Sequence, residues 1–164
     1  MRVLTPEPLT AAAFAPFGRV IEAGDDAVKI DINQGHAVRY DRLADVDCAE
    51  GDGSAAISLF RAKPLGELVL KVFERHPLGS QSFMPLGGKP YLVAVAPAGN
   101  FDAGAVRLFR AGGHQGVHYR KGTWHHFLLV LDEGSDFVVI DRVGPGDNCE
   151  EVELAPADEI RVRR

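Results

Sequence analysis

A chain of 164 residues, 46% of them hydrophobic, has the length and composition of one ordinary globular domain, and residues 1–164 are expected to form one. Its 18 basic and 23 acidic residues are interleaved to a net charge of -5 without a basic stripe, which argues against a nucleic-acid surface. No stretch approaches the roughly 20 apolar residues of a membrane span, residues 1–7 hold no apolar leader, and Cys48 and Cys149 are too few for a disulfide framework, so a cytoplasmic protein with two free thiols is expected.

In chain order, Thr10 followed by three alanines and Phe14, and closed by Pro16 and Gly18, predicts a short N-capped helix. Residues 30–35 read as a strand entering a glycine turn. Residues 41–54, with Asp41, Asp45, Asp47, Glu50 and Asp52 among small side chains, read as a solvated loop. Beyond it, β-type runs at 56–61, 69–76, 81–84, 91–96, 106–111, 116–119, 125–131 and 137–142 are punctuated by proline and glycine. Short strands at this spacing predict an antiparallel sandwich or barrel, with Leu70, Val72, Val93, Val95, Leu108, Leu129 and Val139 in its core. Residues 154–164, with Pro156 near a first turn, are expected to form a short C-terminal helix.

Two strand heads carry the chemistry. In the 69–76 run, Leu70 and Val72 share a parity that Glu74 and His76 continue, so alternation puts a carboxylate and an imidazole on an apolar face. An ionised carboxylate there must be paired, hydrogen-bonded or bound to a cation, because stripping its water costs several kcal/mol or more. The second head, about fifty residues on, runs Gly116-Val117-His118-Tyr119, turns through Gly122 and reaches Trp124-His125-His126. If the two heads meet, they form a polar cluster at the mouth of the barrel. Trp124 is expected in the core or an interface, and Arg75, of opposite parity to Glu74, is expected to face away.

The spacing of Glu74, His76 and Gln81, closed by Pro85-Leu86-Gly87, resembles a cupin metal motif, and Gly116, Tyr119, Gly122 and His125 resemble its companion. Glu stands where cupins commonly carry the first histidine, and Gln where they carry the glutamate. One carboxylate, two imidazoles and an amide oxygen therefore form the candidate ligand set of Glu74, His76, Gln81 and His125. The ordered set of Glu74-Arg75-His76-Pro77-Leu78-Gly79-Ser80-Gln81-Ser82-Phe83, Trp124-His125-His126, Pro16-Phe17-Gly18, Ile32-Asn33-Gln34-Gly35, Ile140-Asp141-Arg142 and Asp147-Asn148-Cys149 resembles the ureidoglycolate lyase family of the cupin superfamily.

That resemblance implies a mainly β, cupin-like antiparallel jelly roll with short terminal helices. It also implies a homodimer and cleavage of (S)-ureidoglycolate to glyoxylate and urea in allantoin degradation. It implies a divalent metal, with Ni2+ the ion it points to. One base must take the substrate's hydroxyl proton and one acid must protonate departing urea. Glu74, His125 and His76 are the catalytic candidates. Gln81, Arg61, His118 and Arg142 are the substrate-binding candidates, the arginines because a bidentate guanidinium suits a carboxylate. A non-catalytic cupin that binds a small carboxylate, and a cupin isomerase, are the competing readings.

Overall fold

The computed structural model describes residues 1–163. Its strands are β1 (Arg2–Leu4), β2 (Glu7–Pro8), β3 (Gly18–Ile21), β4 (Val28–Ile32), β5 (Ala37–Asp41), β6 (Ser54–Ala62), β7 (Val69–Leu70), β8 (Val72–Arg75) and β9 (Gln81–Pro85). They continue as β10 (Gly88–Ala96), β11 (Arg107–Gly113), β12 (Gly116–Tyr119), β13 (Trp124–His125), β14 (Leu129–Val130), β15 (Ser135–Val143), β16 (Glu150–Glu153) and β17 (Ile160–Val162), with one α-helix, α1 (Ala11–Phe14), and three short 3-10 turns among the described residues.

Two sheets face one another in a jelly-roll sandwich. One runs β16-β8-β13-β10-β11-β2, with β14 also on β10, and the other runs β3-β12-β9-β15-β6. Tyr91, Val93, Val95, Phe109 and Ala111 of the first sheet meet Phe83, Val117, Tyr119, Phe137 and Val139 of the second. The alternate residues of β10, Leu92, Ala94 and Ala96, pack outward against Leu70, Ile160 and Val162 of a third, small sheet, β1-β17-β7. Strand β10 is therefore apolar on both faces, which accounts for its unbroken hydrophobic run.

Helix α1 forms as its sequence predicts: Thr10 Oγ1 accepts a hydrogen bond from the Ala13 amide, and Phe14 plugs the core against Phe17, Phe109 and Tyr119. Six of the seven expected core residues are buried, and Val72 is half-buried.

Three expectations are corrected. The tail forms strand β17 rather than a C-terminal helix: a turn at 156–158 returns Ile160 to pair with both Arg2 and Leu70, so the ladder supplies the backbone bonds that a helix would have supplied internally. The 125–131 run splits into β13 and β14. The 69–76 run is broken at Lys71, whose carbonyl accepts from the Leu154 amide, and the alternation slips there. As a result Leu70 and Phe73 share the outer cluster, while Glu74 points inward beside His125.

Candidate active site

His125 reaches its position through a short, over-determined turn. The Thr123 amide donates to the Arg120 carbonyl, and Gly122 takes a left-handed φ of +79 that suits glycine. The Gly122 amide then donates to the His76 carbonyl at 3.0 Å, and Thr123 Oγ1 donates to the Phe17 carbonyl at 2.9 Å. Strand β13 is thereby held between β10 and β8, with His125 opposite Val95 on one side and Glu74 on the other. Directly opposed residues of an antiparallel pair share a face, so both polar side chains join the Val95 face.

Both imidazoles have assignable tautomers. His76 Nδ1 lies 2.7 Å from the Asn148 carbonyl, and His125 Nδ1 lies 3.1 Å from the Thr123 carbonyl. A carbonyl oxygen only accepts, so each Nδ1 carries the proton and each Nε2 presents a lone pair. The two Nε2 atoms converge on Glu74 Oε1, at 4.0 Å from His76 and 3.4 Å from His125. Both are buried without a hydrogen-bond partner. With a proton on His125 Nε2, hydrogen bonding to that ring holds the Glu74 carboxyl below its ordinary range, against the opposing effect of its own desolvation. His125, 1% exposed, also stacks on Tyr119 with ring centroids 4.4 Å apart.

Gln81 enters from β9, opposite Tyr119 on the inner face of the second sheet. Its amide NH2 donates to Asp141 Oδ2 at 3.1 Å, which leaves Oε1 buried and unpartnered. Asp141 was not among the residues expected from sequence. Alternation from the core residue Val139 could have found it, since it puts Asp141 inward and Arg142 outward.

Glu74, Gln81, Tyr119, His125 and His126 line one cavity of about 360 Å³, with Arg61 and Lys63 also along its wall. That volume lies in the range of small-molecule sites. A second cavity, of about 310 Å³, is lined by Thr5, Pro6, Leu92, Arg110, Leu131 and Val162, and its wall offers no acid and base together. The first cavity carries the Glu74 carboxylate and the His125 imidazole on its wall and so brings the candidate chemistry together.

Two expected binding residues lie elsewhere. His118 alternates with Val117 and Tyr119 and so faces outward, where its Nδ1 meets Ser82 Oγ at 2.8 Å. Arg142 also faces outward, its guanidinium donating to the carbonyls of Glu50, Gly51 and Pro145 at 2.7–3.0 Å. Arg61 does reach the cavity wall, and it is paired in a bidentate fork with Asp136 at 2.8 and 2.9 Å. Arg75 faces outward as expected, bonded to Glu150 and lying 4.7 Å over the Trp124 ring. Burial of His126 lowers its imidazole to about 4, which keeps that ring neutral at the back of the site.

His118 provides a stability test. Burial, with Arg120 and Arg19 nearby, lowers its pKa, so the unfolded chain takes up the proton first as pH falls. Its contribution to stability is complete above the unfolded value of about 6.5 and is lost as pH falls from there toward the folded value. The urea midpoint should therefore fall between about pH 7.5 and about pH 5, and fall less in His118→Asn. Equal slopes in the two proteins would contradict this account.

The chain matches the model of the ureidoglycolate lyase family over residues 1–162. A protein of Pseudomonas putida strain W619 named ureidoglycolate lyase is 50% identical over 153 residues, covering 92% of this chain and 91% of its own. One of the same name from Burkholderia mallei strain NCTC 10229 is 50% identical over 155 residues, covering 94% and 91%. Among solved structures, oxalate decarboxylase of Bacillus subtilis superposes with a TM-score of 0.39 at 13% identity, over 61% of this chain and 24% of its own. On the match of nearly its whole length to the family model and on half-identical relatives, the chain belongs to the ureidoglycolate lyase family.

Proposed function

We propose that residues 1–164 act as one lyase domain whose cavity binds ureidoglycolate and cleaves it to glyoxylate and urea. The observation that carries this reading is the convergence of two buried, unpartnered imidazole nitrogens, His76 Nε2 and His125 Nε2, on Oε1 of the half-buried Glu74 carboxylate. Such a set takes up a proton or a cation. In the reaction, the bond between the hydroxyl-bearing carbon and the ureido nitrogen breaks as the hydroxyl oxygen becomes the aldehyde oxygen. The hydroxyl proton passes to the His125 and Glu74 pair, and one proton goes to the nitrogen of departing urea, so the pair ends as it began. His76 shares the proton's site from the other side. The free Gln81 Oε1 accepts an N–H of the ureido group, with the amide orientation fixed by Asp141.

The same three acceptors fit a divalent ion. Two neutral imidazoles, each with its other nitrogen bonded to a carbonyl, and one carboxylate form a donor set for a borderline cation such as Ni2+. Glu74, His76 and His125 would hold it, with Gln81 beside them. Bound there, it would polarise the oxygens of the substrate. A coupled assay for glyoxylate and urea, run with and without chelator, tests reaction and metal together. Absence of urea release under both conditions would refute the reaction and favour a cupin that only binds a small carboxylate.

The substrate's carboxylate is assigned to the cavity edge formed by Arg61 and Lys63. Arg61→Ala and Lys63→Ala are each expected to raise KM by roughly 10-fold or more with little change in kcat, the mark of lost ground-state binding. Unchanged KM in both variants would clear these cations of the role.

The protein is further proposed to be a cytoplasmic homodimer. No helix of the described residues is long and apolar enough to cross a membrane. Strand β6 is a nine-residue sheet edge on which Ile57 and Leu59 are 75% and 71% exposed, and no charge interrupts it before Arg61. The β4-β5 hairpin, a two-stranded sheet of its own, exposes Val28, Ile30 and Val38. An uncharged apolar edge of this length is a pairing surface, which a second copy would cover. Sedimentation at micromolar concentration should give a dimer, and Leu59→Lys should shift it toward monomer. A wild-type monomer would end this part of the proposal.

A further inference from the structure

The segment of Asp147, Asn148 and Cys149 runs alongside the site, and the reaction as described uses none of its side chains. Strand β16 pairs with β8 up to Glu150 opposite Arg75. Continuing that antiparallel register sets Cys149 against His76 and Asn148 against Pro77, where the ladder cannot go on because proline has no N–H to donate. Asn148 meets two other donors instead. Its carbonyl accepts the His76 Nδ1 proton at 2.7 Å, and its side-chain Oδ1 accepts the Leu78 amide, also at 2.7 Å. One residue thus grips the chain on both sides of Pro77. The clasp is itself braced: the Cys149 amide donates to Asp147 Oδ1 at 3.3 Å, and Gly146, at a left-handed φ of +91, lies close enough to Leu78 that a Cβ there would come within 3.0 Å of its Cδ1.

We propose that Asn148 is a positioning residue for His76, whose side-chain amide keeps the Asn148 carbonyl against His76 Nδ1 and so holds the ring as the Nδ1–H tautomer with Nε2 aimed at the Glu74 carboxylate. The role in turnover rests on the reading that His76 Nε2 faces the reacting atoms. The clasp does not. Without Oδ1, the Leu78 amide loses its partner, the two sides of Pro77 are no longer tied, and the ring is free to turn or to move its proton to Nε2. A ring protonated on Nε2 would direct a donor where the site needs a lone pair.

The test compares wild type with Asn148→Ala and Asn148→Asp, the latter keeping an oxygen at the clasping position. Long-range proton–nitrogen NMR of labelled protein at about pH 8.5, where an ordinary imidazole is neutral, reads the tautomer directly, with the His76 signals assigned through His76→Gln. Wild type and Asn148→Asp are expected to show His76 protonated on Nδ1 alone, and Asn148→Ala a mixture of the two tautomers. In the urea-release assay, kcat of Asn148→Ala should fall roughly 10- to 100-fold, the usual worth of a group that orients a site histidine, with KM little changed and the loss recovered in Asn148→Asp. Circular dichroism identical to wild type checks that Asn148→Ala is folded. If it is not folded, Asn148→Ser, which shortens the side chain out of reach of Leu78, takes its place. A pure Nδ1–H tautomer in the folded variant would overturn the proposal. Wild-type protein that releases no urea would instead refute the assigned reaction, and the tautomer comparison would still decide the clasp.

Discussion

Exchanging His125 for Asn, or Glu74 for Gln, should lower the rate of glyoxylate and urea release by about 100-fold or more, the usual contribution of one positioned acid or base. Glu74→Gln preserves volume and hydrogen-bonding shape, His125→Asn keeps a polar amide in place of the ring, and both remove basicity. His125 sits on a turn held by the bonds of Gly122 and Thr123 to His76 and Phe17, none of which involves its ring. Folding should therefore survive, with a circular dichroism spectrum close to wild type and a lowered urea midpoint only in His125→Asn, which gives up the ring stacked on Tyr119. The two losses should not multiply. His125 Nε2 and Glu74 Oε1 lie 3.4 Å apart and handle the same proton, so the double variant should be about as slow as the slower single one. Fully multiplicative losses would mean that the two residues act separately, and near-normal turnover in both single variants would place the chemistry elsewhere.

The convergence of Glu74 and His125 was legible in the sequence because it rests on short-range signals. Both residues sit at strand heads beside glycine or proline turns, and the spacing around each resembles a cupin motif. The route by which Glu74 faces inward was not legible. It depends on the slip at Lys71, and that slip depends on a bond from Leu154, far away in sequence. The C-terminal strand escaped prediction for the same reason: residues 160–162 are too few to show a period, and their structure comes from partners at both ends of the chain, Arg2 and Leu70. His118 and Arg142 are different cases. Once Tyr119 and Val139 are taken as core residues, alternation alone turns both neighbours outward, and the expectation that they bind substrate gave more weight to residue type than to parity.

Arg142 yields the largest expected effect on stability. It is 7% exposed, and its guanidinium donates to three backbone carbonyls, those of Glu50 and Gly51 in the acidic loop before β6 and that of Pro145 just beyond β15. Gly53 and Gly79 make room for it, since a Cβ at either would strike its side chain, at Nε and at Cβ respectively. The charge is thus stripped of most of its water and repaid by these oxygens, of which only that of Glu50 also accepts from a backbone amide, that of Gly53. Arg142→Met fills much of the volume but leaves the carbonyls of Gly51 and Pro145 unpaired, at about 1–3 kcal/mol for each one that water cannot reach. A total loss of about 3 kcal/mol or more is expected, read as a lower urea midpoint with an unchanged slope. Arg142→Lys should recover only part of it, because a single ammonium cannot reproduce the fork. A substrate-binding arginine would behave differently, with KM rising and the urea midpoint holding. Since Arg142 lies on the outward face of β15, opposite to Asp141, KM at a temperature where the variant is folded should stay within a few-fold of wild type. A large rise in KM without loss of stability would return Arg142 to the substrate and require the acidic loop to have some other anchor.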